Sequence, residues 1–173
     1  MSAPRIRLAT AEDMPAVLAI YNESIPARMS TADLAPQSLE ARRAWFANRD
    51  LATRPVTVAE DGSEEGSGEG ARILGWGAFT NFKDRAAYAP TAEISVYIAA
   101  RAAGRGVGRS LVDDLLARAP ACGIDRALAI TFEHNEASLR LFRSRGFVEW
   151  GRLPGACDMD GVRRGVVLLG WSR

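Results

Sequence analysis

Between residues 91 and 116 the chain runs from the alternating stretch Thr91 to Ile98, through the turn Arg105-Gly106-Val107-Gly108-Arg109-Ser110, into the apolar spacing of a helix. Two positions without a side chain let the backbone approach a ligand, and the N–H groups that open the next helix have no carbonyl one turn back to bond. With the helix dipole and two arginines, these donors make a candidate anion site; the same spelling also serves as an ordinary strand-to-helix turn. No Lys-Ser or Lys-Thr closes the turn, which excludes the ATP-type P-loop. The dinucleotide fingerprint is excluded too. It needs the first strand of the chain and an acidic residue about twenty positions on, whereas this turn lies in the second half and Asp125 falls in a loop.

With 173 residues and 47% hydrophobic composition, the chain can bury one sizeable core, and residues 1–173 are expected to form a single domain. Lys plus Arg 22 against Asp plus Glu 21 leaves a net charge of +1, which gives no global electrostatic case for nucleic acid or a membrane surface. Apolar runs break well short of the roughly twenty residues of a membrane helix, and the N-terminus lacks a signal-peptide core. The expectation is a soluble, cytoplasmic protein. Cys122 and Cys157 lack metal-type spacing and are expected to be reduced, so no metal site is anticipated.

Periodicity supplies the elements. Ile6 and Leu8 alternate with Arg5 and Arg7 as a strand, and Thr10 with Asp13 caps a helix whose inner face is Met14, Val17, Leu18 and Tyr21. A polar connection over 22–36 leads to a second helix, started by Ser38 and carrying Leu39, Arg42, Trp45 and Phe46. Strands are expected at 56–60 and 73–82, joined by the polar tract Asp61 to Gly70 as a hairpin tip, with a loop over 83–90. In the central strand Ile94, Val96 and Ile98 share one face while Glu93, Ser95 and Tyr97 share the other. A helix from Gly106 to about Ala121 turns Val107, Leu111, Val112, Leu115 and Leu116 inward. A strand at 127–131, a helix at 135–145 ended by Gly146, a strand at 147–153, a loop from Pro154 to Gly161 and a last strand at 162–169 complete the chain. Trp76, Phe79 and Phe82 alternate imperfectly along a strand and are expected in the core rather than a pocket, and His134 in an exposed loop.

The turn Arg105-Gly-Val-Gly-Arg109 after Val96-Tyr97-Ile98, followed by Asn135-Glu-Ala-Ser138-Leu-x-Leu-Phe142 and Gly146-Phe147, resembles the GNAT acetyltransferase superfamily over nearly the whole chain. Ile6-Arg-x-Ala-Thr-x-Glu-Asp-Met14, Thr91-Ala-Glu93-x-Ser-Val-Tyr97 and the closing Asp160-Gly-Val-Arg-Arg-Gly-Val-Val-Leu-Leu-Gly170 look most like its phosphinothricin N-acetyltransferase group. The resemblance implies an α/β (α+β) fold in one domain: a mixed, mostly antiparallel sheet of about seven strands with a splayed central V, flanked by about four helices. It implies acetyl-CoA as cofactor, a small amino-acid-like amine as acceptor, and a homodimer whose partner completes the pocket through the last strands.

By the same resemblance, Arg101, Gly104, Arg105, Gly106, Val107, Gly108, Arg109 and Ser110 would hold the pyrophosphate, with Arg105 and Arg109 as counter-charges. The backbone of Val96, Tyr97 and Ile98 would pair with the pantetheine arm like an added strand, and Asn135, Ser138 and Phe142 would lie on its other side. Asn135 is also placed to cap its helix. Glu93 would act as general base toward the acceptor ammonium, with simple pairing to Lys83 or Arg85 as its other possible role. Two positions depart from the family pattern. Ala103 stands where a long Arg or Gln is usual, although Arg101 offers the same spelling two residues earlier. Phe142 stands where many members have a tyrosine acid, which leaves the thiolate to depart without an acid or to be protonated through Tyr97 or water. For the acceptor, Arg28, Lys83, Arg85 and Tyr88 lie in the two loops the family uses. A peptide N-acetyltransferase and a non-catalytic acyl-CoA-binding regulator are the competing functions.

Overall fold

The computed structural model describes residues 3–61 and 72–173, and its elements follow the order set by the hydrophobic periodicity. They are β1 (Arg5–Leu8), α1 (Met14–Ser24), α2 (Leu39–Ala47), β2 (Val56–Glu60), β3 (Ile73–Asn81), β4 (Thr91–Ile98), α3 (Val107–Arg118), β5 (Arg126–Phe132), α4 (Glu136–Arg143), β6 (Val148–Met159) and β7 (Val162–Ser172). One seven-stranded sheet has the order β1-β2-β3-β4-β5-β7-β6. Every neighbouring pair is antiparallel except β4 with β5. The expected hairpin tip, apart from Asp61, lies outside the described residues.

Alternation along β3 and β4 divides the core. Trp76 and Tyr97 point toward α1 and α2, where their rings meet Tyr21 and Trp45. The opposite face is made flat by glycine. A Cβ at Gly75 would lie 3.2 Å from Val107 Cγ1, and one at Gly77 would lie 3.0 Å from Leu115 Cδ1, so α3 packs almost on the backbone of β3. Val107, Leu111, Val112 and Leu115 are fully buried there, each burial stabilising by about 1.5–3 kcal/mol, and Leu116 is half-buried beside them. Leu139 and Phe142 of α4 cover the same side of β5 and β7, against Phe147, Val167 and Leu169. Over the other face of β5, β7 and β6 no helix lies among the described residues, and Ile130, Trp150 and Leu153 are 42%, 47% and 49% exposed.

Two expectations need correction. In α1 the fourth core residue is Ile20 and not Leu18, because Ile20 and Tyr21 lie three and four positions after Val17 and share its face, while Leu18 stays half-buried at the edge of that stripe. Asp13 still answers Thr10: its carboxylate accepts from the Thr10 N–H at 2.7 Å and also pairs with Arg7 at 2.6 Å. Pro154 to Gly161 is not a loop but largely strand, since β6 continues to Met159. The irregular register between Leu153 and Cys157 takes up the proline, which cannot donate to a ladder.

Candidate active site

β4 and β5 pair for only three residues, Thr91 with Arg126, Ala92 with Ala127 and Glu93 with Leu128. Beyond Glu93, β5 stays with β7 along its length, while β4 keeps only β3 as partner. The β5-facing edge of β4 from Ile94 to Ile98 therefore carries backbone groups without a strand partner, inside a crevice. Two hollows share this crevice, and Val96, Tyr97, Asn135 and Ser138 line both. One, of about 240 Å³, holds Glu93 with Thr31, Ser95, Phe132 and Phe142 in its wall. The other, of about 810 Å³, runs from Ile98 to Gly104, Gly106 and Arg109.

At the far end stands the glycine turn. Gly104 and Gly106 have φ of 75° and 80°, in the left-handed region, and Gly106 occupies the N-cap of α3. The Arg105 N–H donates to the Ala102 carbonyl at 3.3 Å and the Ser110 N–H to the Gly106 carbonyl at 3.1 Å. Four N–H groups, Gly106 to Arg109, remain without a backbone partner among the described residues; those of Arg105 and Ser110, which the resemblance also assigned to the pyrophosphate, are taken. The arginines also divide. Arg105 pairs with Asp61 at 3.3 Å and Arg101 donates to the Ile73 carbonyl, whereas Arg109 is exposed and lines the larger hollow. Ala103 lines that hollow as well, so the family's long side chain has no counterpart here and Arg101 does not replace it.

The Glu93 side chain makes no ion pair or hydrogen bond among the described residues, so pairing with Lys83 or Arg85 is not its role. Burial alone raises its carboxyl above the ordinary range. Burial, with Tyr21 and Glu93 nearby, also raises the Tyr97 phenol, which is neutral at physiological pH. Phe142 is 4% exposed, its ring edge-on to Phe147 at 5.1 Å, and offers the wall no proton donor. Asn135 caps α4 by accepting from the Ser138 N–H at 3.0 Å, and its amide donates to the Met29 carbonyl at 2.7 Å. Both ends of that side chain are thus engaged within the protein.

The expected acceptor residues are dispersed. The Arg28 guanidinium pairs with Asp160 at 2.7 Å and donates to the Ile25 and Leu34 carbonyls, which staples the connection after α1 to the β6–β7 turn. Lys83 and Arg85 line a separate open hollow with Arg54 and Asn81, and Tyr88 leans on Phe82. None of these four lines the hollow at Glu93. Met29, Thr31 and Phe132 do, and sequence reasoning missed them. Only the length of the polar connection after α1 hinted that it returns over the sheet. His134 is half-buried rather than exposed, stacked on Phe132 with Nε2 3.1 Å from the Arg28 carbonyl.

The chain is similar to known proteins. A Bacillus subtilis protein named "Putative phosphinothricin acetyltransferase YwnH" is 43% identical over 165 residues, covering 95% of this chain and 96% of its own. The L-methionine sulfoximine/L-methionine sulfone acetyltransferase of Pseudomonas aeruginosa is 32% identical over 149 residues, 86% of this chain and 83% of its own. The structure of yncA from Salmonella typhimurium, solved with its cofactor acetyl-CoA, superposes with a TM-score of 0.88 at 26% identity, over 99% of this chain and 94% of that one. Residues 15–147 match the acetyltransferase (GNAT) family, and the chain belongs to that family.

Proposed function

We propose that this chain, as one N-acetyltransferase domain over 1–173, moves an acetyl group from acetyl-CoA directly to the free amino group of a small amino-acid-like acceptor of the phosphinothricin or methionine sulfoximine and sulfone type. The observation that carries the proposal is the opened crevice between β4 and β5, with an anion-binding turn at one end and, at the other, a half-buried carboxylate that has no partner among the described residues.

The residues fit the cofactor. Four unpartnered N–H groups and Arg109 offer a diphosphate the donors it requires, and the left-handed glycines keep side chains clear of it. The free edge from Val96 to Ile98 has the donors and acceptors to pair with the amides of a pantetheine arm. When bound, acetyl-CoA supplies a thioester carbonyl open to attack by a neutral amine. Glu93 takes the proton that the acceptor must lose, since an aliphatic ammonium has a pKa of about 10.4. Burial makes this carboxylate a stronger base than a solvated one and so narrows that gap. Tyr97, neutral and in the wall of both hollows, donates to the departing thiolate in place of the tyrosine that Phe142 replaces.

The hollow at Glu93, about 240 Å³, suits a small amino acid better than an extended peptide. The uncovered apolar face bearing Ile130, Trp150 and Leu153 supports a homodimer; Ile130 also lines that hollow, so a second copy seated there would help to close it. The cysteines Cys122 and Cys157 are free, in keeping with a cytoplasmic location. A thiol-release assay with acetyl-CoA across amino acid analogues, polyamines and peptides, run beside Glu93→Gln, tests the proposal. Turnover confined to small α-amino acids and dependent on Glu93 is expected; turnover of peptides alone, or none on any amine, contradicts it.

A further inference from the structure

Arg42 projects from the inner face of α2 and is only 3% exposed. Its one side-chain hydrogen bond runs from a terminal nitrogen to Gln37 Oε1 at 2.7 Å, and its Nε has no partner among the described residues. Burying a guanidinium against a carboxamide instead of a carboxylate is unfavourable unless other groups compensate. Three rings do so. The guanidinium carbon lies 4.5 Å from the centroid of Tyr21, 4.7 Å from Trp45 and 5.4 Å from Trp76.

Two arms lead from this cation to the hollow at Glu93. Along the first, the Gln37 amide donates to Asp33 Oδ2 at 2.5 Å, and the Tyr21 hydroxyl donates to the same oxygen at 2.7 Å. The Tyr21 hydroxyl also lies 2.7 Å from Thr31 Oγ1, and Thr31 stands in the wall of the hollow. Along the second, Tyr97 stacks on Trp76 at 4.7 Å and meets Tyr21 edge-on at 5.0 Å. The cation thus lies behind both the loop and the ring that face the acceptor, and no part of it lines either hollow.

We infer that Arg42 is a positioning residue: through Gln37, Asp33 and Tyr21 it fixes the loop carrying Thr31, and through Trp76 it fixes the ring of Tyr97. The inference rests on assigning the hollow at Glu93 to the acceptor. Arg42 touches neither substrate, so its loss acts through the loop carrying Thr31 and the ring of Tyr97 and leaves the glycine turn undisturbed.

Arg42→Met keeps the bulk and removes the charge and the fork. With L-methionine sulfone as probe, the expected result is a KM for the acceptor raised at least fivefold and kcat lowered about tenfold, with coenzyme A affinity within twofold of wild type and partial recovery of kcat in Arg42→Lys. Hydrogen exchange gives a readout that needs no acceptor: amides of 29–34 should exchange at least tenfold faster in Arg42→Met, while those of 106–110 stay unchanged. Unchanged exchange at 29–34, or a uniform rise across both segments, overturns the inference, as does a folded Arg42→Met with wild-type acceptor KM and kcat. Should Arg42→Met fail to fold, Gln37→Leu cuts the same relay at a half-exposed position; faster exchange at 29–34 supports the inference and wild-type exchange overturns it. A wild-type protein inert toward methionine sulfone counts against the acceptor assignment, and the exchange experiment still decides the role of Arg42.

Discussion

Replacing Gly106 by alanine separates the conformation of the glycine turn from its packing. A Cβ built at Gly106 meets nothing within 4 Å, so the methyl group causes no clash among the described residues. The cost is conformational: φ is 80°, and holding an L-residue there is unfavourable by about 1–2 kcal/mol. For a domain of this size that lowers Tm by about 2–8 °C. If the turn relaxes toward negative φ instead, the N–H groups of Val107, Gly108 and Arg109 lose their common aim. Each hydrogen bond they give to a charged oxygen is worth about 1.5–3 kcal/mol, so losing one weakens coenzyme A binding about 10- to 150-fold. Gly108→Ala is the control. Gly108 lies within α3, where alanine carries no left-handed penalty, and its Cβ would press only on the flexible Leu141 Cδ2 at 3.1 Å. Calorimetric titration with coenzyme A, paired with thermal melts, should show Gly106→Ala impaired in both and Gly108→Ala much less so. Equal behaviour of the two variants, or wild-type affinity in Gly106→Ala, would refute the claim that the turn's conformation binds the anion.

Three other substitutions have defined outcomes. Glu93→Gln should lower kcat/KM by about 10²–10⁴ and remove the acid limb of the pH profile, which in wild type lies above the ordinary carboxylate range. Because burial raises this carboxyl in the folded state, its ionisation costs stability as pH climbs through the raised value, so Glu93→Gln should melt higher than wild type at pH 8 and alike at pH 4; a lower melt at pH 8 contradicts the burial argument. Asp13 shows the opposite sign. Arg7 holds its carboxyl below the usual value, so its contribution is present above pH 4 and fades as pH falls, and Asp13→Asn should cost about 1–3 kcal/mol at pH 7 by chemical denaturation but little near pH 2. Trp150→Asp, on the uncovered face, should leave the fold intact and shift sedimentation toward monomer, with unchanged sedimentation counting against the dimer.

Much of the fold was legible because period-two and period-3.6 patterns report burial directly. The alternation in β4 assigned Glu93, Ser95 and Tyr97 to one face, and all three line the hollow at Glu93. The misses occurred where burial and periodicity part. β6 is an edge strand exposed on both faces, so its continuation past Pro154 left no alternating signal. Spacing alone cannot tell which way a long side chain turns: Arg101 and Arg105 bracket the turn in sequence, yet backbone and Asp61 partners draw them from the cleft. Arg28 was legible as a cation in the right loop but not as the staple of that loop, because its partner Asp160 lies 132 positions away. The splay of β4 from β5 was expected only from family resemblance, since no residue between Ile94 and Ile98 marks where strand pairing stops.

A crystal structure with coenzyme A bound tests the central claim most directly. The account predicts the diphosphate within hydrogen-bonding distance of the N–H groups of Gly106 to Arg109, the pantetheine arm along the free edge of Val96 to Ile98, and the sulphur in the hollow beside Tyr97, facing Glu93. A diphosphate bound elsewhere, or a sulphur outside the hollow that holds Glu93, would contradict it.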